Sequence, residues 1–308
     1  MSLVINDVSH SGTVASQFIV PAITGADTVQ GGHVYVKDNI KKKFTIPRYE
    51  LGNIIQDRVP TPTSSVGTQT VDGKVLDPQD YMIYFEFNPR DFEDHWYSEQ
   101  LRQELIDRRL PVTVENVVLQ ETLKTHIAYF DRAIWQGSIS GGTAPYNKFD
   151  GIITKAIADA TVLDVGTPTT LTNSNINTEF QKGHALIPNS LKFDPMLKYF
   201  VSYKTADLWR EFQQNQANKG VDVTSAGIMQ INGKRIVPIA GFPDDKYIIA
   251  KGSADMSSNL WVGINSNSDE TNIRMDFVAK NSELMFVKVL MKADTQIGFG
   301  KELVLYSA

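Results

Sequence analysis

The sequence predicts an α+β protein, and three observations predict it. A helical pattern runs from Phe92 to Gly137, β-forming runs lie before and after it, and residues 150–270 mix both patterns like a compact α/β subdomain. No flexible linker separates these stretches, so they are expected to form one interlocked unit.

Residues 1–32 are polar and short-chained, with Gly12, Gly25, Gly31, Gly32 and Pro21 interrupting brief apolar pieces such as Phe18-Ile19-Val20. That composition predicts an extended arm held in place by something other than the subunit's own core. From His33 to about Phe87 the pattern becomes strands. Val34 and Val36 alternate with Tyr35 and Lys37, Phe44-Thr45-Ile46 follows Lys41-Lys42-Lys43, and Tyr81 to Phe87 is a strong β-former run. Between them, Val59 to Thr68 is rich in turn formers and has little to build a core from. The expectation is a long two-stranded excursion whose outer part projects. Two strands are marginal alone, so this ribbon is expected to lie against a neighbouring subunit.

The helical stretch divides near Arg109-Leu110-Pro111. In its second half Thr113 is the expected N-cap, with Glu115 in the first turn where a carboxylate suits the helix dipole. Leu119, Leu123, Ile127, Phe130 and Ile134 follow at spacings that stack them on one face, while Lys124, Thr125, Asp131 and Arg132 fall elsewhere. Gly137 is the expected stop. Such a helix would be about 35 Å long and serve as a spine.

After a Gly-rich loop, helices are expected over 150–160 and 177–185. A short buried strand is expected at 198–202, then an amphipathic helix over 203–218 carrying Leu208, Trp209 and Phe212. Strands around 228–231 and 235–239 flank Asn232-Gly233, a strong hairpin-turn signal, and another lies at 247–250. The last part reads as strands at 260–264, 272–277, 286–292 and 296–306.

The bulk numbers restrict function. Of 308 residues, 42% are hydrophobic and 21% charged, which is ordinary globular material. A net charge of −5 argues against nucleic-acid binding by the surface as a whole. With no cysteine, disulfides, thiolate metal sites and cysteine nucleophiles are excluded. The N-terminus has no secretory pattern, and no run is long enough to span a bilayer. His10, His33, His95, His126 and His184 show no metal-ligand spacing. Gly298-Phe299-Gly300-Lys301 lacks the first glycine and the Ser/Thr of a phosphate loop, and there is no G-x-S-x-G elbow. Asp77-Pro78-Gln79-Asp80 and Asp244-Asp245 read as solvated turns. Trp96, Tyr97, Phe130 and Trp135 read as core, and Lys41-Lys42-Lys43 either as a protective sheet edge or as a contact with phosphate or an acidic patch on a partner. Nothing here supports an enzyme, a cofactor or a metal.

The order of segments carries the resemblance, supported by local sequence. Asp131-Arg132-Ala133-Ile134-Trp135-Gln136-Gly137 followed by Phe149-Asp150-Gly151-Ile152, then Lys198 to Ser202, Ile231 to Pro238, Gly241-Phe242-Pro243-Asp244 and Leu260-Trp261-Val262-Gly263, resemble the Hong Kong 97-type major capsid proteins of tailed bacteriophages. The resemblance implies an N-terminal arm (1–32), an E-loop β-ribbon (33–88), a P-domain with the spine helix (89–149 and 270–308) and an α/β A-domain (150–269). It implies a self-assembling subunit of an icosahedral head around double-stranded DNA, bound without sequence specificity. The implied partners are further copies in hexamers and pentamers, with scaffolding, portal and decoration proteins besides. No cofactor and no membrane are implied; the location is the virion, after assembly in the host cytoplasm. Lys41, Lys42, Lys43, Arg48, Asp57 and Arg58 are the candidate intersubunit contacts. The family's Lys–Asn crosslink has no transferable positions here, so none is expected, and the short arm implies a separate scaffolding protein or none. The rival readings are an encapsulin shell, which shares the fold, and a soluble α/β enzyme.

Overall fold

The structure is a computed structural model that describes residues 8–10, 21, 24–61, 64, 66–88, 112–215, 229–265, 273–279 and 282–307. In chain order its strands are β1 (Val8–His10), β2 (Tyr35–Lys37), β3 (Phe44–Leu51), β4 (Gln69–Leu76) and β5 (Gln79–Phe87), then β6 (Leu163–Asp164), β7 (Leu197–Ser202), β8 (Gln230–Ile231), β9 (Lys234–Ile239) and β10 (Lys246–Lys251). The last four are β11 (Leu260–Ile264), β12 (Ile273–Phe277), β13 (Met285–Ile297) and β14 (Val304–Ser307). The helices are α1 (Asp27–Gln30), α2 (Val112–Gln136), α3 (Ile152–Ala158), α4 (Ile176–Leu186) and α5 (Tyr203–Gln214).

The spine is α2, whose 25 residues span about 37 Å. It already includes Val112, so it starts before the cap expected at Thr113. The helical piece expected over 92–110, with Trp96 and Tyr97, lies outside the described residues. On the expected face Leu119, Phe130 and Ile134 are buried, and Leu123 and Ile127 partly so. Asp131, expected on another face, is buried as well. The reason is position: the last turns of α2 lie under both sheets, so Phe130, Asp131, Ala133, Ile134 and Trp135 are all enclosed. Trp135 packs against Phe200 of one sheet and Phe242 of the following turn, at ring-centroid distances of 5.4 and 4.9 Å.

The helix ends at Gln136, with Gly137 as the expected stop, and a chain crossing fixes that end. The backbone of Gly151 passes directly over Gly137 and donates to its carbonyl at 2.8 Å. A Cβ on Gly137 would lie 2.4 Å from the Phe149 oxygen, and one on Gly151 would lie 2.7 Å from the Gly137 nitrogen. Two glycines therefore let the chain cross back over the helix end and start α3.

The first sheet runs β1-β12-β13-β11-β2, and β5 also pairs with β13, off that path. Its inner face, with Tyr81, Met275, Val287 and Val289, packs with α2 and α3 into one core. The second sheet runs β6-β14-β10-β7-β9-β8. The helices α4 and α5 cover one face of it, where Phe180 meets Tyr199, Trp209 and Tyr247 at 5.0–5.5 Å. Ser202 caps α5 by accepting from the Thr205 N–H, and Asn232-Gly233 turns the β8–β9 hairpin with φ of 49° and 73°, as the sequence predicts.

Four expectations change. Residues 24–32 belong to no free arm: α1 packs on α2, and Ala26 and Thr28 are fully buried. Within 33–88, β2 pairs with β11 and β5 with β13, so only β3 and β4 project. The strand expected over 296–306 is two strands: β13 ends at Ile297, a turn at Gly300–Glu302 crosses over, and β14 joins the second sheet. Lastly β11, grouped by sequence with 150–269, lies in the first sheet because its five residues are all buried between β13 and β2.

Candidate assembly surfaces

The ribbon is clamped at its root and bare at its tip. β3 and β4 pair in antiparallel register from Phe44–Leu76 to Leu51–Gln69, and one further bond joins Gly52 N–H to the Thr68 carbonyl at 2.8 Å. Near the root, Ile46 and Leu76 are buried with Ile40 and Trp261. Lys74 donates to Asp159 at 2.8 Å. Burial alone would push the Asp159 carboxyl up, yet Lys74 and Thr161 outweigh it and hold the group down at about 2. Gln296 donates to the Val75 carbonyl at 2.7 Å, and Asp294 accepts from the Asp77 N–H at 2.8 Å. Toward the tip the inward neighbours stop. Tyr49, Leu51, Ile54, Val59 and Val71 are each at least half exposed, and Ile55 is 84% exposed. A two-stranded ribbon with this much apolar surface in water is unstable as a free element and needs a cover.

The six sequence-predicted contact residues separate into two groups. Lys41 and Lys42 are exposed at the root, and Asp57 and Arg58 are exposed at the tip. Lys43 is also exposed but lies 3.3 Å from Asp77, an ion pair that water screens. Arg48 is held within its own chain. Its guanidinium forks onto Asp72, donates to the Gly298 carbonyl at 3.1 Å and lies over the Phe299 ring. Sequence had no means of foreseeing this, since Gly298 and Phe299 are far away in the chain. The apolar tip residues were the stronger signal: Leu51, Ile54, Ile55 and Val59, beside a Pro-rich turn, belong to no core.

A polar joint ties the pieces together. Asp131 Oδ1 accepts from the Thr28 N–H at 2.9 Å and from the Thr28 hydroxyl at 2.6 Å, and Oδ2 accepts from the Gly241 N–H at 2.8 Å. Trp135 Nε1 donates to the Thr28 hydroxyl at 2.8 Å, and Gln136 donates to the Gly241 carbonyl at 2.8 Å. One carboxylate thus connects α1, the spine and the second sheet.

Between β5 and α2 lies an apolar cavity of about 780 Å³, with Tyr81, Phe85, Val118, His126 and Tyr129 in its lining. His126 is buried, and its Nε2 lies 3.0 Å from the Tyr81 hydroxyl. Burial pushes that hydroxyl well above the ordinary tyrosine range, so it stays protonated and serves to join strand to helix. Among the described residues no cluster of His, Asp or Glu could hold a metal ion, and no helix is long and apolar enough to cross a membrane.

No protein-family profile matches the sequence, and neither does any curated protein. Solved structures do. The satellite phage P4 procapsid chain superposes with a TM-score of 0.60 at 13% identity, covering 97% of this chain and 91% of that one. The capsid of Myoviridae phage XM1 gives 0.59 at 11%, covering 91% and 90%. This chain has the Hong Kong 97-type capsid fold. The capsid of an empty GTA particle, at 0.57 and 11% identity over 99% and 93% of the two chains, shares it. Identities this low extend the likeness to the fold alone.

Proposed function

We propose that this chain is the major capsid subunit of a tailed, double-stranded DNA phage, assembling as hexamers and pentamers into an icosahedral head. The observation that carries the reading is the ribbon: fixed at the root by Lys74–Asp159 and Gln296–Val75, and apolar and uncovered at the tip. A neighbouring copy supplies the cover, and repetition around closed symmetry multiplies contacts that are modest singly. Residues 1–32, 33–88, 89–149 with 270–308, and 150–269 would act as arm, E-loop, P-domain and A-domain, with the strand exchanges described above. Lys41, Lys42, Asp57 and Arg58 are exposed where a neighbour would meet them; Lys43 is half engaged, and Arg48 supports the ribbon from within. The subunit would have no catalytic role. Scaffolding, portal and decoration proteins would be its other partners, with assembly in the host cytoplasm and residence in the virion. Electron microscopy of the purified full chain, alone and with the rest of a head, tests this: closed shells with hexamers and pentamers are expected. A chain that stays a monomer under every such condition contradicts it, and a small shell filled with protein instead of nucleic acid would mark an encapsulin.

A further inference from the structure

We propose that Lys198, Arg235 and His33 form an oxyanion site, occupied in the assembled shell by a carboxylate of a second copy of the chain. The occupant rests on the shell reading above; the site itself does not.

Lys198 and Arg235 are direct partners on the parallel strands β7 and β9, so both side chains leave the same face of the second sheet at one level. Lys198 Nζ lies 3.4 Å from Nδ1 of His33, whose ring is buried beside Phe200 with centroids 5.7 Å apart. Burial, then Lys198 and Arg235, hold the His33 imidazole down at about 4. At neutral pH the ring is therefore uncharged and accepts from the ammonium. Burial and Arg235 also lower Lys198. Among the described residues the anion acting on the group is Asp27 of α1, which accepts from the Tyr203 hydroxyl at 3.1 Å. Among the described residues neither Lys198 nor Arg235 forms an ion pair with a carboxylate.

Like charges side by side on a sheet destabilise it, and this pair lacks an acid to offset that. Arg235 is exposed, and Lys198, its partner in the strand register, is half-buried. One carboxylate entering beside Arg235 would take guanidinium and ammonium hydrogens together, both charge-assisted. The chain carries 35 acidic residues against 30 basic ones, so neighbouring copies are a concentrated source of carboxylates. A net charge of −5 disfavours a nucleic-acid backbone as the occupant.

The site is tested on the isolated full chain by thermal unfolding in sulfate and in chloride at matched ionic strength. Sulfate strengthens burial in general, so the readout is the difference between wild type and Arg235→Gln, an exposed substitution. Wild type is expected to gain about 2 °C more than the variant. Equal gains overturn the site. For the occupant, shells assembled from isotope-labelled and unlabelled chains are treated with a carbodiimide, and peptides joined at Lys198 are identified. The expected product links Lys198 to an Asp or Glu of the other isotope. A Lys198 amine as reactive in shells as in the free chain overturns the occupant, and so does one protected only in nucleic-acid-filled shells. A chain that responds to sulfate but forms no shells removes the shell reading and the occupant while the oxyanion site stands.

Discussion

Replacing Asp131 by alanine should remove a large share of the subunit's stability. The carboxylate is 3% exposed and accepts from the Thr28 N–H, the Thr28 hydroxyl and the Gly241 N–H at 2.9, 2.6 and 2.8 Å. Alanine would leave two backbone N–H groups buried without an acceptor, each costing about 1–3 kcal/mol. The Thr28 hydroxyl keeps its bond from Trp135 and loses only its donation. The expected loss is about 4 kcal/mol, a large share of the roughly 5–15 kcal/mol that holds an ordinary domain together. Asp131→Asn keeps one acceptor oxygen and turns its amide N–H toward the other donor, so about half that loss is expected. Urea unfolding of the isolated full chain, followed by circular dichroism, measures both through the midpoint at constant slope. If both variants unfold within about 0.5 kcal/mol of wild type, the joint is open to water and the reasoning fails.

Other expectations follow from the same geometry. Gly241→Ala would place a Cβ 2.5 Å from the backbone of Asp131 and Arg132, so a loss of about 1–3 kcal/mol is expected; an unchanged melting temperature contradicts that close approach. Two buried groups oppose each other in acid. Burial raises Asp294 to about 6, so the fold bears the cost of its charge above that pH and gains about 3 kcal/mol as pH falls from 6 toward 4. His33 is lowered to about 4, chiefly by burial, so its contribution is lost over the stretch from about 6.5 down to 4. Asp294→Asn should therefore make stability fall more steeply below pH 6, and His33→Gln should make it rise; parallel curves for both variants and wild type would contradict the two assignments. Lys74→Met should loosen the ribbon root, with faster amide exchange over 69–76 and unchanged protection over 197–202. Equal protection in 69–76 would show that the Lys74–Asp159 pair does not hold the ribbon.

Periodicity made the spine, the hairpin and most strands legible, because each depends on residues close in the chain. Leu119, Phe130 and Ile134 declare a helix face, and Asn232-Gly233 declares its turn. Long-range exchanges were not legible. Val304–Ser307 has strand composition like Phe286–Lys292, and only pairing with β10 and β6 shows that it belongs to the other sheet. Asp131 looks like any exposed helical acid until Thr28 and Gly241 arrive from 103 and 110 residues away. The candidate surface divides likewise. Turn formers with little to build a core made the projecting ribbon readable, whereas the capture of Arg48 by Gly298 and the Lys198–Arg235 pairing needed strand register.

The central claim, that the uncovered ribbon is what joins one subunit to the next, is tested most directly by deleting Pro60 to Gly67 and imaging the product beside wild type. The account predicts a chain that melts within a few degrees of wild type, since the root contacts of β3 and β4 are untouched, but forms few or no closed shells by electron microscopy. Normal shells from the deleted chain would contradict it.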